Sequence, residues 1–202
     1  MYKTVIFDLD GTLVDSDYSN MMSLKSAIFN IEGKDVPLED VKKQSGVPGL
    51  QCLLNLGVVK IEETFNEWDK EFFRMKGRAL YFGGIEDVIL KLRELGVFIG
   101  IVTSRNDHEY EAFFSHLDLF DKFNTIIFAS DTKNHKPHPE PILAFLKRAN
   151  REKQGAIYIG DTVHDRDSAI AAGVDFAFAG WSDHNVKSDI ILKKPSDILD
   201  MV

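Results

Sequence analysis

The sequence predicts an α/β fold: a doubly wound parallel sheet core with an inserted α-helical segment. Short apolar runs, partly β-branched, recur at residues 4–7, 97–102, 125–129, 156–159 and 176–178. Continuous runs of this kind suit strands covered on both faces. Helical patterns alternate with them, and strand–helix alternation implies parallel pairing. Between about Asp15 and Leu80 the alternation stops, and only helical segments are legible.

Taken in order, the first run ends abruptly in Asp8-Leu9-Asp10-Gly11-Thr12-Leu13-Val14-Asp15-Ser16. Paired carboxylates at a buried strand end cost several kcal/mol unless a cation or a reaction uses them. At the carboxyl end of a parallel strand, where α/β proteins place ligands, the pair reads as a metal site with a nucleophile. An Asp-Gly turn would explain one aspartate but not both. In the insert, residues 18–29, 50–56 and 61–75 are amphipathic, separated by Gly33, Pro37, the 46–49 loop and Gly57. The next helix, 85–95, carries Ile85, Val88, Ile89, Leu92 and Leu95 and stops at Gly96. A helix over 141–149 starts on Pro141, which suits a first turn, and one over 165–172 stops at Gly173.

The motif around Asp8 and Asp10 resembles motif one of the haloacid dehalogenase-like hydrolase superfamily, Asp-x-Asp-Gly-Thr-Leu-x-Asp-Ser. The resemblance implies that Asp8 is a nucleophile that becomes an aspartyl-phosphate. It implies that Asp10 is the general acid/base. Three later segments resemble the remaining motifs, in order. Thr103 and Ser104 end the second strand in hydroxyls, which with backbone N–H groups can hold phosphate oxygens; a helix cap is the competing reading. The resemblance puts Thr103 on the phosphate, with Ser104 beside it as a substrate-binding residue. Lys136, in Lys136-Pro137-His138-Pro139, resembles the Lys-Pro-x-Pro motif, whose lysine balances nucleophile and phosphate charge. Asp161 and Asp165 follow the fourth strand in Gly160-Asp161-Thr162-Val163-His164-Asp165 and resemble Gly-Asp-x-x-x-Asp. Oxygen-only ligation suits Mg²⁺. The resemblance implies a Mg²⁺ set of Asp8, Asp10 through its carbonyl, Asp161, and Asp165 directly or through water. Asp165 can also cap its helix.

The resemblance covers the whole chain. It implies a discontinuous Rossmann-like core, residues 1–14 and 81–202, and a helical cap, residues 15–80, acting as a lid. Asp10 argues against dehalogenases, which lack the second aspartate, and against phosphonatases. β-Phosphoglucomutases carry a cap histidine ten residues after the general acid, where this chain has Asn20. The expected activity is therefore Mg²⁺-dependent hydrolysis of a small phosphorylated metabolite of the phosphoglycolate or sugar-phosphate type. Phosphomutase or phosphotransferase, pyrophosphatase, and a non-catalytic phosphometabolite-binding regulator remain as alternatives. In the 41–49 cap loop, Lys42 or Lys43 is expected to meet a carboxylate or second phosphate, and Gln44 and Ser45 hydroxyls. A solvated charged pair is the competing reading. Tyr18 and Asn20 are further candidates.

Composition bounds the rest. Lys+Arg 24 against Asp+Glu 32 gives a net charge of −8 across 202 residues. That disfavours non-specific nucleic-acid or anionic-membrane binding. An anionic substrate must then be drawn by local cations. The lone Cys52 cannot form an internal disulfide and reads as a buried, reduced thiol. No apolar run approaches the ~18 residues that span a bilayer. Asp8 and Asp10 interrupt the amino-terminal run, so it does not read as a signal peptide. A cytoplasmic location is expected; oligomeric state is not encoded legibly.

Overall fold

The computed structural model describes residues 1–118 and 120–202. Its central sheet contains β1 (Thr4–Phe7), β4 (Phe98–Val102), β5 (Thr125–Ile127), β6 (Ala156–Gly160), β7 (Asp175–Ala179) and β8 (Ile190–Leu192). The order is β5-β4-β1-β6-β7-β8, and every pairing is parallel. The chain builds outward from β1 to β4 and β5, then crosses back to β6 on the other side. That reversal makes the carboxyl ends of β1 and β6 the switch point where such sheets bind ligands.

Alternation along β1 explains the two apolar layers. Val5 and Phe7 pack with α5 (Ile85–Glu94) and with Phe113 and Phe114 of α6 (Asp107–Phe114). Ile6 faces the other way, with Tyr158, Phe145 of α7 (Glu140–Ala149) and Ala169 of α8 (Val163–Ala172). The fit is close at Gly100 in β4, where a Cβ would lie 2.0 Å from the Phe145 ring.

Three elements go beyond the sequence reading. β8 is a three-residue edge strand that buries only Leu192 fully, too short for a periodic signal. α6 is rich in charge, and its start is marked by a reciprocal cap between Asn106 and Glu109. Strand β5 ends at Ile127, two residues earlier than expected, because Ala129–Asp131 turn into a 3₁₀ helix.

Residues 17–75 form four helices: α1 (Asp17–Glu32), α2 (Leu38–Lys42), α3 (Gly49–Asn55) and α4 (Ile61–Met75). Leu24, Ile28, Val41, Cys52, Leu53 and Trp68 form a separate apolar cluster among them. The chain enters and leaves through a short antiparallel ribbon, β2 (Val14–Asp15) against β3 (Leu80–Tyr81). No strand signal is legible there, because two-residue strands have no period to read. Phe72 of α4 leaves the helical cluster and packs on Phe113, with ring centroids 4.6 Å apart. No helix among the described residues is long and apolar enough to cross a membrane.

Candidate functional site

Asp8 stands at the end of β1, with Asp161 and Asp165 just beyond β6 and Lys136 from the loop before α7. All four are buried. Lys136 Nζ donates to Asp8 Oδ1 at 2.6 Å and to Asp165 Oδ1 at 2.7 Å. The Tyr158 hydroxyl, 3.1 Å from Lys136 Nζ, donates to Asp165 Oδ1 at 3.0 Å. The other oxygen of Asp165 accepts the Thr162 amide at 3.0 Å and its hydroxyl, and Thr162 in turn caps α8 by accepting the Asp165 amide. Asp165 thus fixes both the start of α8 and the buried lysine.

Asp8, Asp161 and Asp165 bring carboxylate oxygens within 4.8 Å of one another. One lysine, shared between Asp8 and Asp165, does not balance three buried carboxylates. Among the described residues, Asp161 Oδ1 accepts only the Thr12 hydroxyl, at 3.2 Å, and its buried Oδ2 has no hydrogen-bond partner. Gly11, at φ 78°, lets the chain pass so close that a Cβ would stand 2.2 Å from that oxygen. Excess negative charge and oxygen-only donors fit a hard divalent cation such as Mg²⁺.

The charges respond accordingly. Burial pushes Asp8 up to about 7, against the pull of Lys136 and with added repulsion from Asp165. Asp161 is raised by burial and by repulsion from Asp8 and Asp165. Asp165 stays low because Lys136 and Thr162 more than offset its burial. A carboxyl raised by folding contributes stability below its unfolded value of 3.8, and that contribution is lost as pH rises to about 7. The carboxyls held low lose their contribution only as pH falls below that range. Metal-free protein is therefore expected to lose stability as pH rises from about 4 to about 7. Mg²⁺ is expected to raise the melting temperature more at high pH than at low pH. Melts in chelator and in Mg²⁺ at both ends of the range check this; an equal Mg²⁺ effect at both ends would refute it.

Asp10 faces the opposite way and meets Arg105. Its two oxygens accept Arg105 Nε and Nη2, both at 2.9 Å, and Oδ1 also accepts the Ser16 hydroxyl. Burial alone would raise Asp10, but Arg105 and then Ser16 hold it below the usual carboxylate range. The guanidinium lies over Phe72 at 4.7 Å, and Phe114 and Phe113 stand 5.4 and 5.6 Å away. A helix of the insert and a helix of the sheet layer thus share one arginine. Nothing in the sequence marks Arg105 for this role, because a contact 95 residues from Asp10 leaves no periodic trace. Tyr158, Thr12 and His184 were missed for the same reason.

Thr103 is buried, and its hydroxyl accepts the Arg105 amide at 3.1 Å, opening the loop after β4. Ser104 reaches the insert, donating to the Gly46 carbonyl at 3.4 Å. Asp8, Asp10, Lys136, Ser104, Arg105, Asn20, Ser45 and Trp68 line a cavity of about 60 Å³, room for a few water-sized groups. Asn20 presents a buried Oδ1 that has no hydrogen-bond partner among the described residues.

Lys42 and Lys43 are not brought to this cavity. Their side chains are 50% and 70% exposed, and they pair with Glu39 at 3.7 Å and Asp40 at 2.7 Å. The end of α2 turns them outward, because only Val41 of that helix is buried. Exposed pairs of this kind contribute under ~1 kcal/mol. Lys42→Ala/Lys43→Ala is expected to leave turnover on any substrate within about twofold and stability within ~1 kcal/mol. A selective loss on one substrate would return these lysines to the site. Tyr18 is half exposed and does not line the cavity; Gln44 bonds Asn55 instead. Cys52 is buried, its thiol pushed up to about 12 by burial, as a structural cysteine should be.

The chain is 27% identical to the pyrophosphatase PpaX of Oceanobacillus iheyensis over 211 aligned positions, spanning 99% of this chain and 96% of that one. It is 28% identical to PpaX of Bacillus cereus, over 98% and 94% of the two chains. A Lactobacillus plantarum structure assigned as a phosphoglycolate phosphatase superposes with a TM-score of 0.91 at 27% identity, over 100% of each chain. CbbY of Rhodobacter sphaeroides shares the fold at a TM-score of 0.82 and 16% identity, over 98% and 96%. The haloacid dehalogenase-like hydrolase family model matches residues 5–179, and the chain belongs to that family.

Proposed function

We propose that this chain is a Mg²⁺-dependent phosphatase that acts on a small phosphorylated metabolite through an aspartyl-phosphate on Asp8. The observation that carries this reading is Asp8 at the switch point, held by Lys136 beside Asp161, with Asp10 two residues away and separately charged. One Asp8 oxygen bonds to phosphorus as the bond from phosphorus to the leaving oxygen breaks. Asp10 gives that oxygen a proton. Asp10 then takes a proton from the water that attacks phosphorus, and the bond from phosphorus to Asp8 breaks. Asp8, Asp161 and the Asp10 carbonyl would hold Mg²⁺; Asp165, its oxygens already bonded, would support them from behind. Bound Mg²⁺ supplies positive charge for the phosphoryl oxygens. Lys136 adds to that charge, and the Thr103 hydroxyl orients the group. The helices of residues 15–80 act as a cap on the core of residues 1–14 and 81–202, flexing at the β2–β3 ribbon and excluding water.

The small cavity favours a small substrate, and Arg105 is the cation placed to meet its far end. A leaving group with its own negative charge competes with Asp10 for Arg105. That competition loosens the hold on Asp10 and lets it carry the proton it must donate. Phosphoglycolate-type esters fit this requirement. Inorganic pyrophosphate is the second reading, favoured by the same arginine and by the activity named for the PpaX relatives.

Phosphate release from phosphoglycolate, sugar phosphates, nucleotides, pyrophosphate and an aryl phosphate, with and without Mg²⁺, tests the proposal. Release that needs Mg²⁺ and concentrates on one or two compounds is expected. No release from any would overturn it. Arg105→Gln is expected to cost kcat/KM about 10-fold or more on compounds whose leaving group is itself anionic, and less on the aryl ester, since a hydrogen bond between charged groups contributes ~1.5–3 kcal/mol. Equal loss on both would restrict Arg105 to holding Asp10.

A further inference from the structure

On the other side of Asp161 a second ligand set crosses from the helical insert to the sheet layer. His184, in the loop after β7, places Nε2 2.8 Å from Asp17 Oδ2 and 3.4 Å from Asp161 Oδ2. The Ser45 hydroxyl stands 3.3 Å from the same nitrogen. One ligand atom from each of Asp17, Asp161 and His184 falls within 4.8 Å of the others. The Asp161 oxygen turned toward the imidazole is the buried one that has no hydrogen-bond partner among the described residues.

We propose that Asp17, Asp161 and His184 form a second cation site, which takes a borderline transition metal ion such as Zn²⁺. The donor set differs in kind from the oxygen-only set around Asp8. An imidazole nitrogen with two carboxylates is poor for Mg²⁺ and good for Zn²⁺ or Mn²⁺. The 2.8 and 3.4 Å separations from Nε2 to the two carboxylate oxygens are close to those between ligands of an ion with ~2.0–2.2 Å bonds. An unpartnered carboxylate oxygen in a buried setting is costly unless something positive meets it. Binding takes the neutral imidazole, with the Nε2 lone pair on the metal. Asp17 opens α1, so an ion held here ties the insert to the sheet layer. The site shares Asp161 with the Mg²⁺ set, but its readout is metal binding and does not depend on the phosphatase reading.

Zn²⁺ titrated into the full chain in excess Mg²⁺, followed by calorimetry and by ¹⁵N resonances of the histidine rings, tests the site. One strong Zn²⁺ event is expected, together with a large shift of a single imidazole signal. That signal should be absent from His184→Gln. Zn²⁺ affinity should fall at least about tenfold in His184→Gln and in Asp17→Asn, since loss even of a group that only supports a metal ligand costs ~10-fold. His108→Gln, on α6, should bind as the parent does. Unchanged affinity in both site variants, ring shifts confined to other histidines, or no Zn²⁺ binding at all would each overturn the proposal. The ring signals of the unmutated chain keep the test decisive even if a variant folds poorly.

Discussion

Asp8→Asn is expected to lower turnover by at least about 10⁴-fold, the scale seen when a covalent nucleophile is removed. An amide in that place presents no anionic oxygen to phosphorus and forms no phosphoenzyme. The same change should leave the fold intact. Burial already disfavours charge on Asp8, raising it to about 7, so a neutral isostere removes a cost as well as an ion pair. Lys136 keeps Asp165 as its partner at 2.7 Å. Steady-state phosphate release, acid-quench trapping of labelled phosphoenzyme and melting in chelator check the three parts. Turnover within about tenfold of the parent would refute the covalent step.

Lys136→Met should affect both stability and chemistry. The ammonium is buried and bonded to Asp8 and Asp165, so deleting it leaves two enclosed carboxylates without their cation. Breaking a buried ion pair from one side costs ~3–5 kcal/mol, much more than a surface pair contributes. Denaturant melts of metal-free protein near neutral pH should show a loss of that size, along with loss of turnover. Lys136→Met/Asp165→Asn should recover part of the stability, because Asn can still cap α8 while the second charge is gone. A single-variant loss below ~1 kcal/mol would show that the lysine is not the counter-charge its position implies.

The parallel sheet, the acids at its strand ends and the helical insert were legible because each rests on local rules. Buried strands need continuous apolar runs, helices need a 3.6-residue stripe, and acids at a strand end need a use. Ile61–Met75 was legible to the residue, since its apolar face repeats cleanly. β8 was not, because three residues at an edge carry no pattern. Nor was α6, where aromatics and charges are mixed and only the Asn106–Glu109 cap marks the start.

At the site the division is similar. The sequence by itself determined which residues stand at the ends of β1, β4 and β6, and so which acids and hydroxyls converge on the switch point. Tertiary structure decided the charge of each. Lys136 could be read as a fixed cation, but its sharing between Asp8 and Asp165 depends on how α7 and α8 pack against the sheet. Arg105 and Asp10 pair only because the loop after β4 folds over the end of β1, with Phe72 of the insert completing the aromatic box. Lys42 and Lys43 show the converse. A lysine pair in a loop reads the same whether it faces a substrate or water, and only the packing of Val41 inward turned these two out. Chain-local chemistry fixes what a residue can do; ionisation and access depend on neighbours that folding brings from anywhere in the chain, because burial and Coulomb energy are set by distance in space.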